Sequence, residues 1–141
     1  MRLSEHEISF RVRYCETDAM GFLHHANFLC YFEMGRTELF RACGGDYRKM
    51  EEVGNFLVVV SMTVKYRAPA RFDDLLTLRT RLVRITPAKL IHDYRLTRDD
   101  GTLLAEAESV IACVDRDGRV QRMTEELLGL AEGDGQEPRP S

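Results

Sequence analysis

The sequence has no closely spaced cysteine pair, no long hydrophobic run, no excess of positive charge and no glycine-rich phosphate loop. Each absence removes a class of function. The four cysteines, Cys15, Cys30, Cys43 and Cys113, make no C-x-x-C motif. Free thiols in a reducing compartment are the simplest expectation. His24 and His25 are adjacent, so they point differently, and no Cys or His cluster joins them. No metal site is expected. The longest aliphatic-aromatic run, Phe56 to Val60, is far too short to span a bilayer. Met1 to Glu7 holds no apolar stretch of the signal-peptide kind, so a cytoplasmic location is expected. A formal net charge of −3 gives no reason to expect a nucleic-acid partner. No G-x-x-x-x-G-K segment is present to cradle phosphates.

What is there reads as one folded domain. At 141 residues, 44% hydrophobic and 30% charged, the chain can bury a real core. Ile8, Phe10, Val12 and Tyr14 alternate with polar residues, which predicts a half-buried strand ending at Tyr14. Asn27 to Cys43 has apolar or small residues at helical intervals (Phe28, Tyr31, Phe32, Gly35, Leu39, Cys43), and Gly44-Gly45 stops it. Asp46 to Asn55 has room for a short helical turn. Val58, Val60, Met62, Val64 and Tyr66 then alternate with a second set, predicting a long strand that Ala68-Pro69-Ala70 ends. Further strands are predicted from Leu76 to about Ile85, Leu90 to Arg98 and Leu103 to Asp115, with Val120 to Arg122 extending the sheet. Asp99-Asp100-Gly101 is a hairpin signal. Thr124 is placed to cap a short helix over Glu125 to Leu130. The tail 132–141 has no apolar residue and is expected to be disordered, leaving 1–131 as the domain.

One long helix followed by sequential strands on short connections cannot make a doubly wound parallel sheet. The expected class is α+β: an antiparallel sheet of about five strands wrapped around one long central helix. That helix is apolar or small around much of its circumference, and one sheet covers only one side of it. A second copy of the chain is therefore the expected partner. Gly35 inside the helix costs about 1 kcal/mol relative to alanine, which suggests close approach of another backbone.

The chemistry concentrates in Tyr14 to Arg41. A turn-rich loop carrying Asp18, Gly21, His24 and His25 runs into the helix N-terminus. Unpaired backbone N–H groups and the positive end of the helix dipole there favour developing negative charge. The pattern Tyr14, Thr17-Asp18, Gly21, His25-Ala26-Asn27, Phe32-Glu33 and Arg36-Thr37-Glu38 resembles the hotdog-fold acyl-CoA thioesterases of the 4-hydroxybenzoyl-CoA thioesterase type. The likeness is strongest to the branch linked to the bacterial Tol–Pal system. It runs on through Val60 to Val64, Ala68 to Asp74 and Leu103 to Ala107. The resemblance implies a hotdog fold, a homodimer or homotetramer with sites between protomers, and hydrolysis of an acyl-CoA substrate without a cofactor.

Residue by residue, the readings divide. Taken alone, Asp18 reads as a turn aspartate bound to backbone N–H groups. The resemblance places it on the family's catalytic carboxylate, as general base or as nucleophile. The His25 backbone N–H is a candidate oxyanion donor, and its imidazole can orient water. Tyr14 can hydrogen-bond Asp18 or substrate, or can be a core tyrosine with one wet end. His24 is expected to line the pocket, Gly21 to serve the turn, and Asn27 to cap the helix. Glu33 is the reserve catalytic carboxylate, although it is also spaced to pair with Arg36. Arg67, Arg71 and Lys89 are candidate contacts for the phosphates of coenzyme A. Two rival readings are a hotdog dehydratase acting on 3-hydroxyacyl thioesters and a non-catalytic acyl-CoA-binding module.

Overall fold

The computed structural model describes residues 4–125 and 127. Strand β1 spans Glu5–Arg11 and a 3-10 turn follows at Tyr14–Glu16. Helix α1 spans His25–Ala42 and helix α2 spans Tyr47–Glu52. Strands β2 (Phe56–Tyr66), β3 (Leu75–Ile85), β4 (Leu90–Arg98), β5 (Leu103–Val114) and β6 (Val120–Gln121) complete the chain. The sheet order is β1-β3-β4-β5-β2, with β6 on β5, and every pairing is antiparallel. The fold is therefore α+β with a single long helix on the sheet, and the sheet has six strands where about five are expected.

The departures from expectation have local causes. The first strand stops at Arg11 because Val12 turns in to hydrogen-bond with the 73–74 turn. Tyr14 thus opens a 3-10 turn rather than ending a strand. In β2 the register shifts between Val59 and Ser61. Such a bulge changes the face that later residues occupy. Leu57 and Val59 line one cavity, while Met62 and Val64 pack on the main core. The single even-numbered face expected for Val58 to Tyr66 is thus not formed. The predicted cap at Thr124 is present, its Oγ1 accepting from the Leu127 N–H at 3.2 Å. Most of the helix expected there, and the tail 132–141, lie outside the described residues.

The core has two apolar clusters. Phe28, Tyr31 and Phe32 of α1 pack with Val12, Leu76, Leu78, Tyr94, Leu96 and Ala105. Phe40 at the far end of α1 packs with Met50, Leu90, Ile111, Cys113 and Met123. Gly35 lies between them. A Cβ there would sit 2.3 Å from Thr80 Oγ1 and 2.7 Å from Leu78 Cδ2. The glycine thus admits side chains of β3 rather than another backbone. Within one chain α1 is buried on the sheet side only. Leu29 and Met34 on its outer side are 45% and 40% exposed.

Candidate active site

Glu16 ties the loop to the helix. Its carboxylate is 8% exposed and accepts from the Tyr31 hydroxyl at 2.7 Å. It also accepts from the Arg13 backbone N–H at 2.8 Å and from the Arg13 guanidinium at 3.0 and 2.9 Å. Burial pushes this carboxyl up, but the bonds from Tyr31 and Arg13 outweigh it and hold it below its ordinary value. Burial and the Glu16 bond push the Tyr31 phenol well up, so it stays a donor. The Glu16 carbonyl accepts from the His24 N–H and from Asn27 Nδ2, each at 2.9 Å. One residue thereby fixes both the loop and the first turn of α1.

Asp18 sits in the tight turn that follows. Its N–H donates to the Phe22 carbonyl at 2.8 Å and its carbonyl accepts from Gly21 N–H at 3.0 Å. Gly21 has φ +84°, the left-handed region that a turn here requires. Asp18 Oδ1 accepts from Met20 N–H at 2.9 Å and Phe22 N–H at 3.1 Å. Oδ2 accepts no hydrogen bond among the described residues. One oxygen thus holds the half-buried carboxylate in place, and the other is unbonded among the described residues. Leu23 N–H, bonded to the Ala70 carbonyl at 2.8 Å, closes the loop onto the 68–74 turn.

The helix begins two residues earlier than the spacing predicts, at His25. Its N-cap is His24, whose Nδ1 accepts from Ala26 N–H at 3.1 Å. Asn27 does not cap the helix: it lies inside the first turn and its side chain reaches back to Glu16. Asn27 N–H bonds the His24 carbonyl at 2.9 Å. Among the described residues the His25 N–H has no acceptor. That leaves an open donor at the positive end of an 18-residue helix. The imidazoles of His24 and His25 stack at 4.3 Å, and the Tyr66 hydroxyl donates to the His25 carbonyl at 3.3 Å.

The remaining candidates are dispersed. Tyr14 is 77% exposed and packs edge-on to Phe72 at 5.5 Å. It makes no hydrogen bond to Asp18 and is not a core tyrosine. Arg71 lies 4.5 Å over the Phe22 ring, beside the loop. Arg67 pairs with Glu106 at 3.2 Å and follows Tyr66, which touches the helix head. Lys89 occupies the β3–β4 turn beside Leu90, which packs with Phe40 at the opposite end of α1. The three basic residues do not converge within one chain. Among the described residues no group of His, Cys, Asp or Glu side chains is arranged to hold a metal ion.

Glu33 and Arg36 do not form the expected ion pair. The close pair on this helix is Glu38 with Arg41. Glu33 and Arg36 instead line a cavity of about 170 Å³ with Thr37, Tyr47, Asn55 and His92. Burial, reinforced by the Arg36 charge, brings the His92 imidazole down to about 4, and burial pushes the Tyr47 phenol up to about 12. Glu16, which braces the loop, and His92, which lines this cavity, are the buried polar residues that the pattern reading passes over. Glu16 had one signal: a carboxylate three residues after an arginine, ahead of a tyrosine whose hydroxyl needs a partner when buried. His92 had another: it falls in the apolar phase of β4 between Leu90 and Tyr94.

An antiparallel sheet with one long helix packed against it is the hotdog fold of the thioesterases. The chain belongs to the thioesterase-like superfamily, whose model matches residues 12–130. It is 37% identical to the acyl-CoA thioester hydrolase YbgC of Escherichia coli O157:H7 over 105 residues, 74% of this chain and 78% of that protein. It is 34% identical over 117 residues to the putative acyl-CoA thioesterase YneP of Bacillus subtilis, 83% of each chain. The crystal structure of a probable thioesterase from Bartonella henselae superposes with a TM-score of 0.80 at 30% identity, covering 85% of this chain and 99% of that one.

Proposed function

We infer that the chain is an acyl-CoA thioester hydrolase, releasing a carboxylic acid and free coenzyme A, with Asp18 and the His25 N–H as its reacting groups. What supports the residue assignment is a carboxylate with one unbonded oxygen on the loop that leads into a helix whose first amide has no acceptor among the described residues. In the general-base route Asp18 Oδ2 takes a proton from water and the hydroxide adds to the thioester carbon. In the nucleophilic route Oδ2 itself adds, giving an anhydride that water later cleaves. In both, the oxyanion forms against the His25 N–H, the C–S bond breaks and the thiolate leaves to be protonated. The dipole of α1 stabilises that charge in the transition state more than in the ground state.

Arg67 and Arg71, at the loop end of the sheet, are the proposed contacts for the coenzyme A phosphates. Lys89 lies too far along the helix to join them. A second copy of the chain is the proposed partner. β2 is an 11-residue edge strand whose Val58, Val59 and Val60 are 40%, 50% and 61% exposed, a surface suited to pairing with another strand. Leu29 and Met34 of α1 would be covered by the same contact. Among the described residues no helix is long and apolar enough to cross a membrane, and the cytoplasm, where acyl-CoA esters are made and used, is the proposed location.

The test is thiol release from acyl-CoA esters of short to long chain, with aromatic esters included. Wild type turns over at least one of them and Asp18→Asn loses that activity. Wild-type rates in the variant would refute the role of Asp18. Enoyl thioester without thiol release would indicate a dehydratase, and saturable binding without turnover a binding module. Single-turnover hydrolysis in ¹⁸O-water separates the routes, since label enters Asp18 only if it is the nucleophile.

A further inference from the structure

Helices α1 and α2 are capped in different ways. Asp46 caps α2, its Oδ1 accepting from the Lys49 N–H at 3.1 Å. That is the common arrangement, because a carboxylate satisfies a free amide and suits the positive end of the dipole. His24 caps α1, and its acceptor is Nδ1 of an imidazole. Histidine is not among the residues favoured at this position. The first turn of α1 also holds no acidic residue. Glu16 is close, but it offers the head its carbonyl, while its carboxylate is turned to Tyr31 and Arg13. Among the described residues, no negative side chain is bonded to the head of α1.

Of the amides of residues 24–27, one is left open. His24 N–H donates to the Glu16 carbonyl at 2.9 Å. Ala26 N–H donates to His24 Nδ1 at 3.1 Å, and Asn27 N–H to the His24 carbonyl at 2.9 Å. The His25 N–H lies between these bonded groups and has no acceptor among the described residues. His24 thus takes up the next amides along the helix and leaves that one free. A ring nitrogen that accepts carries no proton, so the imidazole is the neutral tautomer protonated at Nε2. The His25 ring stacks on it, with centroids 4.3 Å apart and 24° between the planes, which holds the acceptor in its orientation.

We propose that His24 is a positioning residue: its neutral cap fixes the first turn of α1 while leaving the helix head to receive a single negative charge, that of the oxyanion, at the His25 N–H. The proposal rests on the thioesterase reading above. In both routes the charge that begins on Asp18 ends on the oxyanion, so the reaction brings one negative charge to this head. A carboxylate at position 24 would hold the turn as well, but it would stand beside the oxyanion and repel it. An apolar side chain there would leave the Ala26 N–H unbonded and the turn free to fray. A neutral imidazole avoids both.

The experiment compares His24→Asn, His24→Asp and His24→Ala with wild type. It measures kcat and KM for thiol release from the acyl-CoA ester that wild type turns over fastest, together with the melting temperature. Asparagine keeps a neutral acceptor, aspartate supplies a charged one and alanine has none. In His24→Ala kcat falls about fivefold while KM changes by about twofold or less. His24→Asn recovers most of that loss. His24→Asp melts no lower than His24→Asn, yet its kcat is about tenfold below it. The order of kcat and the order of melting temperature therefore differ, which a purely structural cap does not produce. Wild-type kcat in His24→Ala, equal kcat in His24→Asn and His24→Asp, or a kcat that follows the melting temperature through all three variants overturns the proposal and leaves the thioesterase reading standing. So does a His24→Asn as impaired as His24→Ala, since the imidazole would then act by its own chemistry. If wild type releases no thiol from any ester, the thioesterase reading fails and this proposal falls with it.

Discussion

The head and the middle of α1 treat buried polar groups in opposite ways. At the head, Glu16 has four hydrogen bonds to its carboxylate and two to its carbonyl. At the middle, His92 and Thr80 are buried with unpartnered atoms, and Arg36 has only a long contact to Tyr94. A fully satisfied network holds a structure still, and Asp18 lies two residues beyond Glu16 on the loop that this network holds. A partly satisfied one is destabilising.

That contrast can be broken from either side, and the largest effect is at the head. Asp18→Asn keeps an oxygen for the Met20 and Phe22 amides but loses the charge. It should lower kcat/KM by roughly a thousandfold with little change in melting temperature. Loss of the fold instead would show that the aspartate is structural.

The next effect belongs to the middle. Burial first and Arg36 on α1 second push the His92 imidazole down from 6.5 to about 4, with neighbouring Asp93 opposing. The unfolded chain therefore takes up a proton that the folded chain refuses. Stability falls as pH drops from 6.5 to about 4, by on the order of 3 kcal/mol. Denaturant unfolding across that range should show a clearly shallower slope for His92→Phe.

Glu16→Gln should cost about 2 kcal/mol, since it removes a charged acceptor from a buried network. Its sign is that of a depressed carboxyl: the contribution is present above the ordinary value of 4.5 and fades as pH falls through the lower folded value. Wild type and variant should thus converge in acid. Activity should fall as well, because the same residue positions the loop and the first turn.

Gly35→Ala should have the smallest effect. Overpacking against Thr80 and Leu78 costs about 1–3 kcal/mol, offset in part by about 1 kcal/mol of helix propensity. Thermal melts should show a modest loss that Thr80→Ala partly restores.

The long elements were legible because their periods are strong. β4 was read at both bounds, Leu90–Arg98, and α1 to within two residues. Its start was missed because a histidine, not the nearby asparagine, supplies the capping acceptor. Tyr14 was misread because alternation continues through Val12 after the strand has ended, and β2 because a bulge resets the phase. In the loop, Asp18, Gly21 and His25 were picked out by the family resemblance, since taken alone Asp18 reads as a turn aspartate. Glu16 did not, since its importance lies in meeting Tyr31 from 15 residues away.

Local spacing alone determined the order of elements, the one long helix and the turn that carries the aspartate. These follow from side-chain period, from glycine at positive φ and from proline's missing donor, all properties of neighbours in the chain. Only the tertiary structure decided which carboxylate is a brace and which has a free oxygen, and that Arg36 and His92 share a cavity. Those facts depend on burial and on partners distant in sequence, and both are set by how the sheet closes on the helix.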